Sequence, residues 1–181
     1  TVFSKDLEQI GRYAFYGCPA LTEVTIPAGT TYIGPYAFTN CPGLTGIGVD
    51  ASNSAYCSDE KGVLYDKHKT VLMQAPTSLS GTYKVPDSVI RIEAGAFYGC
   101  AGLTGISIPN GVTDIGNSAF YKCIGLTAIN IPDSVTSIGS TAFYECQSLK
   151  NVTLPKYLTA LGSSAFYKCT ALTEVMIPSG I

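Results

Sequence analysis

Cysteine and histidine are the residues best able to carry chemistry in this chain, which has seven cysteines and only His68 as a partner for them. Six of the seven, Cys18, Cys41, Cys100, Cys123, Cys146 and Cys169, recur every 23 residues, except for a step of 59 between Cys41 and Cys100. Zinc binding or thiol redox chemistry calls for a Cys-x-x-Cys pair or several histidines, and the sequence has neither. If equivalent positions stack as neighbouring strands about 4.8 Å apart, the side chains run parallel. Their Cβ atoms then stay near that spacing instead of closing to the ~3.8 Å of a disulfide. The six are read as buried small apolar side chains. Cys57 is out of phase and is read as a free, partly exposed thiol. His68 lies between Lys67 and Lys69 in an expected turn, which suits solvent better than general-base catalysis. Asp50, Asp59 and Glu60 could offer oxygen ligands to Ca²⁺, but the loop lacks Asp-x-Asp-x-Asp-Gly spacing. There is no Gly-x-Ser-x-Gly elbow, phosphate loop or His-Glu-x-x-His pair. No catalytic residue, cofactor or metal ligand is assigned.

The cysteine phase belongs to a repeat. Phe15, Phe38, Phe97, Phe120, Phe143 and Phe166 each follow an alanine and precede a cysteine by three residues. A leucine follows three further on: Leu21, Leu44, Leu103, Leu126, Leu149 and Leu172. Pairs such as Val24/Ile26, Ile47/Val49, Tyr83/Val85, Ile129/Ile131 and Val175/Ile177 alternate with strand period before a proline that ends the strand. Ala-Phe-x-x-Cys-x-x-Leu, apolar at every third position, predicts a short helical or 3₁₀ turn, with Ser118 and Ser164 as caps. Glycines such as Gly116 and Gly139 predict tight corners. One such unit buries too little to fold alone, whereas stacked units cover one another and share strand ladders. The expected fold is a single α/β solenoid over 1–181, with a parallel sheet on one side and short helical segments on the other.

The 59-residue step marks one elongated repeat, 50–85, with 13 extra residues. It holds eight of the chain's 24 charged side chains. Val63-Leu64-Tyr65 and Val71-Leu72-Met73 predict a β-hairpin around Asp66-Lys67-His68-Lys69. One reading makes this hairpin a contact site with Tyr65, Lys67, His68 and Lys69 at its tip. The other makes it a plug, with Leu64, Leu72 and Met73 replacing the missing phenylalanine and cysteine. Tyr98, Tyr121, Tyr144 and Tyr167, together with Tyr16, follow the repeat phenylalanines, and only Thr39 interrupts the column. They are read as candidate ligand contacts or as packing between turns. Outward sheet positions such as Thr25, Gly48, Ser107 and Asn130 are small and polar, with few anchors for tight binding.

Composition narrows the function. Hydrophobic residues make up 46% and charged residues 13%, a globular balance. Net charge is −2, with no basic stripe for phosphates, so nucleic acid is not an expected partner. No apolar run approaches the roughly 18 residues of a membrane span. No signal peptide opens this sequence, which says little because both ends fall inside a repeat; the chain is expected to be a fragment of a longer one.

The pattern I-G-x-x-A-F-x-x-C-x-x-L-T-x-I-x-I-P resembles the BspA-type (Treponema pallidum type) leucine-rich repeat, in six copies plus one elongated turn. Gly62-Val63-Leu64-Tyr65 followed by Thr70-Val71-Leu72 resembles that family's hairpin insertion. Glu93, Lys150 and Leu161 depart from the pattern without disturbing it. The resemblance implies a right-handed β-α superhelix in an extracellular, cell-surface protein that binds protein or glycan ligands in adhesion, with a passive spacer as the alternative. It implies no particular binding residue. A monomer whose uncapped ends could meet end to end is expected.

Overall fold

A computed structural model describes residues 2–179 and 181. The first coils contain β1 (Gln9–Ile10), β2 (Glu23–Ile26), β3 (Tyr32–Ile33) and β4 (Gly46–Val49). The elongated repeat adds β5 (Tyr56–Ser58), β6 (Leu64–Asp66) and β7 (Val71–Gln74). Regular coils then resume with β8 (Gly81–Lys84), β9 (Arg91–Ile92), β10 (Leu103–Ser107) and β11 (Asp114–Ile115). They continue with β12 (Ala128–Asn130), β13 (Ser137–Ile138), β14 (Asn151–Thr153) and β15 (Ala160–Leu161). The result is a β-solenoid of about seven turns. Longer strands form one side in the order β14-β12-β10-β8, with β2-β4 as a separate pair. Short strands line a second side as β15-β13-β11-β9-β7, with β1-β3 separate. Equivalent residues stack in parallel register, as in Ile106↔Ile129 and Ile129↔Val152. The segment holding Val175 and Ile177, expected as a strand, has no assigned strand structure.

The expected helical segments are absent: among the described residues there is no helix. In the Ala119-Phe120 segment, alternate amides take two kinds of partner. Ser118, Phe120 and Lys122 N–H donate to the next turn, at Ser140, Ala142 and Tyr144 C=O. Between them, Tyr121 and Cys123 N–H fold back to Ser118 and Phe120 C=O. Ser118 and Lys122, at the two ends, have φ of 54° and 57°. Left-handed residues at both ends forbid a helical run, and the neighbouring coil supplies the carbonyls that a helix would otherwise provide. Ser118 therefore caps nothing, and its hydroxyl meets Thr141 Oγ1 at 2.8 Å. The apolar spacing places these side chains inward, while the helical hydrogen bonding does not form.

The corner glycines serve close approach. A β-carbon at Gly116 or Gly139 would sit 2.5 Å from an amide nitrogen of the preceding turn, at Ala94 or Asn117. At Gly11 a β-carbon would meet nothing within 4 Å among the described residues. Strand-ending prolines open β-turns by accepting at their carbonyls, as Pro132 C=O does from Val135 N–H at 3.0 Å. Threonine columns tie the coils further: Thr127 donates through both N–H and Oγ1 to Thr104 C=O, each at 3.2 Å.

The core lies along the axis in two clusters. Phe97, Phe120 and Phe143 are fully buried in the larger, their rings stacked at 5.0 and 5.1 Å. Phe38, Leu44 and Ile47 belong to the smaller one, on the other side of the elongated repeat.

Candidate functional site

The elongated repeat is a three-stranded antiparallel unit in place of the expected two-stranded hairpin: β5 pairs with β6, and β6 with β7. It crosses the solenoid instead of projecting from it. Strand alternation sends Val63 and Tyr65 into the larger core and Leu64 into the smaller. Leu64 and Leu72 are fully buried, Leu72 in the larger cluster and Leu64 in the smaller, where Met73 packs against it. Tyr56 Oη closes the edge of β3 by accepting from Ile33 N–H at 2.9 Å and donating to Thr31 C=O at 3.3 Å. Buried Asn53 is satisfied on both sides: Nδ2 donates to Pro27 and Thr30 C=O, and Oδ1 accepts from Ala55 and Tyr56 N–H.

This placement separates the four expected tip residues. Tyr65 is fully buried, which corrects its reading as an exposed contact. Lys67 is exposed, but its Nζ is held on Asn53 C=O at 2.5 Å. His68 is exposed. Lys69 is half-buried with φ of 53°, its Nζ 5.7 Å from the centre of the Tyr65 ring. The turn is braced by Asp66, which accepts from Thr70 Oγ1 and Val71 N–H, both at 2.7 Å. Thr70 C=O is bonded to Ile90 N–H of the next coil, so the tip lies against the solenoid wall.

A different segment shapes the surface. Ser58–Gly62 is driven between β4 and β8, which would otherwise be adjacent strands of one sheet. Gly62 C=O accepts from Ile47 N–H at 3.1 Å, and a β-carbon at Gly62 would lie 2.7 Å from Gly46 Cα. Asp59 fixes this wedge: Oδ1 accepts from Lys61 and Val63 N–H at 2.9 and 3.0 Å, and Oδ2 from Tyr83 Oη at 2.6 Å. Tyr65 Oη meets Tyr83 Oη and also reaches Asp59 Oδ2 at 3.4 Å. Burial is the main cause that pushes both phenols well above the ordinary tyrosine range, so they stay protonated donors.

Two clefts flank the wedge. One, of about 410 Å³, runs along β2 and β4 and presents Glu23, Asp59 and Glu60 against Lys61. The other, of about 660 Å³, lies between the wedge and β8. Lys61, Lys69 and Lys84 line it with Thr82, Tyr83 and Glu60. Of the eight site residues expected from sequence, only Lys69 reaches this cleft. Sequence reasoning missed Lys61 and Lys84 as site residues and weighed Asp59 only as a Ca²⁺ ligand; the one signal for this cleft was the density of charge over 50–85.

The tyrosine column is real but occupied with itself. Tyr98 stacks on Tyr121 at 4.5 Å, Tyr121 on Tyr144 at 4.7 Å, and Tyr144 meets Tyr167 at 5.0 Å. Stacking covers the ring faces, which are the parts that would lie against a sugar or a cation. Lys122 and Lys168 clasp the flank and both pair with Glu145, at 3.8 and 3.1 Å. Thr39 interrupts the column because Gln74 of the elongated repeat lies there, joined to Thr39 Oγ1 at 2.9 Å. Tyr16 reaches across that gap, its hydroxyl 3.3 Å from that of Tyr98.

The phased cysteines are free thiols, with Cys41, Cys100, Cys123, Cys146 and Cys169 buried and Cys18 half-buried. Each buried Sγ has an acceptor in an earlier coil: Cys146 meets Phe120 C=O at 3.1 Å, and Cys169 meets Phe143 C=O at 3.0 Å. Burial raises their pKa, to about 12 for Cys100. Cys57 is half-buried and also raised, burial outweighing the nearby Lys69 and Lys67. Thiolate chemistry is suppressed at the five buried cysteines and at Cys57. Among the described residues no three His, Cys, Asp or Glu side chains are grouped to share a metal ion. Nor is any helix long and apolar enough to cross a membrane.

Comparison with known proteins fits this geometry. The BspA type Leucine rich repeat region matches residues 1–59 and 77–181 in six copies. The pneumococcal vaccine antigen PcpA superposes with a TM-score of 0.93 at 28% identity over 97% of this chain and 44% of that one. A leucine rich cell surface protein of Faecalibacterium prausnitzii gives 0.73 at 30% identity over 95% of this chain and 52% of that one. The T. pallidum leucine rich repeat protein gives 0.55 at 27% identity over 98% and 69%. This chain thus spans about half the length of the first two. No curated protein sequence matches it. The six profile matches, over most of its length, show that the chain belongs to the BspA-type leucine-rich-repeat family.

Proposed function

We propose that this chain is a non-catalytic recognition module displayed outside a bacterial cell, binding a protein of a host matrix or of another cell. The observation that carries this reading is the wedge at Ser58–Gly62. A regular solenoid needs no such device to fold, yet here it parts the sheet and places clefts of opposite charge on its two flanks. Concave sheet surfaces are where repeat proteins commonly engage partners. The similarity to a cell surface protein and to a vaccine antigen supports the extracellular setting. The chemistry on display also favours binding, since burial keeps the Cys41, Cys100, Cys123, Cys146 and Cys169 thiols protonated and His68 is exposed and is not among the hydrogen-bond partners of the half-buried Asp59.

The test is capture of the purified chain on arrays of host matrix proteins and on intact cells. Saturable binding weakened by the double variant Glu60→Lys/Lys61→Glu supports the reading. Absence of saturable binding to any host or cell surface would select the spacer alternative. That alternative draws on the rest of the sheet face, where Thr25, Gly48, Ser107 and Asn130 provide no large anchor.

A further inference from the structure

The wedge leaves a strand edge open. β8 hydrogen-bonds to β10 alone. Val85 N–H donates to Ser107 C=O at 3.0 Å, so by alternation Tyr83 also faces β10. Thr82 and Lys84 therefore turn their N–H and C=O groups the other way, toward β4. In a regular coil those groups would be met by the preceding strand. Here the sheet is split, and no backbone group of the described residues pairs with them on that side. The open edge is one wall of the larger cleft, and Ser58–Lys61 is the opposite wall.

Charge says what the edge would accept. Lys61, Lys69 and Lys84 all line this cleft. Of the two carboxylates lining the cleft, Asp59 is already engaged by a phenol and two amides. Lys84 shares an exposed ion pair with Asp87 at 3.7 Å outside the lining, an arrangement worth little in water, so the cleft keeps an excess of ammonium groups over Glu60. We propose that the cleft between β8 and Ser58–Lys61 binds an extended, acidic segment of a protein ligand, which adds to β8 as a further strand. Main-chain bonds to Thr82 and Lys84 supply the affinity, and alternate acidic side chains meet the lysines. A polysaccharide could answer the charge but not the row of backbone donors and acceptors. This inference rests on the recognition role proposed above and specifies its ligand.

The test uses the intact chain and a short fluorescein-labelled peptide of alternating glutamate and threonine, read by anisotropy. Two analogues carry N-methyl groups on every second amide, one in each phase. Binding should weaken with salt, and Lys61→Glu and Lys84→Glu should each weaken it by about tenfold or more, with unchanged circular dichroism. Methylation in one phase should abolish binding while the other phase leaves it. Equal binding by both methylated peptides would overturn the strand pairing. So would a heparin oligosaccharide binding as tightly as the peptide, or no binding of the peptide at all. If the chain still captures a host ligand with Lys84→Glu in place, the recognition role stands and this inference alone fails.

Discussion

The Sγ of Cys123 donates to the carbonyl of Phe97, one coil earlier, at 3.1 Å. The same carbonyl accepts Cys100 N–H, so the thiol occupies its second lone pair. This explains why a thiol recurs where alanine or valine would also be apolar: it fills a small space and still donates. Cys123→Ala should lower stability by about 1–3 kcal/mol, through lost packing and an under-satisfied buried carbonyl. Urea denaturation of the variant beside the parent chain measures this.

The buried thiols also set a pH dependence. Their pKa values lie above those of the unfolded chain, with Cys100 at about 12 against an ordinary value of 9.0. The unfolded chain loses its thiol protons first as pH rises. For Cys100 the contribution to stability is therefore complete below about pH 8.5 and falls as pH climbs toward 12, on the order of 1 kcal/mol per pH unit, and the other buried thiols act in the same direction. Melting curves between pH 7 and 11 should show that fall, and a chain with Cys100 and Cys123 both replaced by alanine should show a shallower one.

Gly139 and Gly11 hold the same phase of the repeat but have different surroundings. At Gly139 a β-carbon would meet the Asn117 amide at 2.5 Å, while at Gly11 it would meet nothing. Gly139→Ala should cost about 1–3 kcal/mol by forcing two coils apart, and Gly11→Ala should be nearly neutral. Thermal melts of the two variants compare them directly.

Lys150 departs from the threonine column. Its N–H reaches Thr127 C=O at 3.0 Å, but it has no hydroxyl to add the second bond that Thr127 makes to Thr104. Lys150→Thr should stabilise the chain by about 0.5–1 kcal/mol. A fall in stability would remove the threonine hydroxyls as a source of cohesion between coils.

Asp59 holds the wedge through one phenol and two amides. Asp59→Ala removes the carboxylate acceptor of the Tyr83 hydroxyl, leaving it only Tyr65 Oη, and should cost about 2–3 kcal/mol. Faster hydrogen exchange should appear at Lys61 and Val63, whose amides Asp59 accepts, while the Phe120 amide is unchanged.

Much of the fold could be read from the sequence because a repeat states its own register. The phase of Phe97, Phe120 and Phe143 gives the stacked core, and the alternation at Ile106 and Ile129 gives the sheet. The hydrogen-bonding mode of the phenylalanine segment could not be read. Spacing of three is common to a 3₁₀ turn and to the observed ladder, and only the carbonyls of the next coil decide between them. The wedge was hidden for a related reason. Ser58-Asp59-Glu60-Lys61 reads as a polar loop, and the acceptor of Tyr83 lies 24 residues away in sequence. Tyr65 misled because an aromatic residue beside a charged turn resembles a surface contact, whereas the strand it sits in runs between two cores.

That strand has a mechanical consequence. β6 gives Leu64 to one hydrophobic cluster and Tyr65 to the other, so the two stacks meet across a single bulkhead. Nearest-neighbour cohesion, which makes a regular coil array melt as one body, is interrupted there. Calorimetry should resolve two transitions, and a pulling force applied along the axis should tear the smaller compartment open first, acting as a fuse that spares the longer stack.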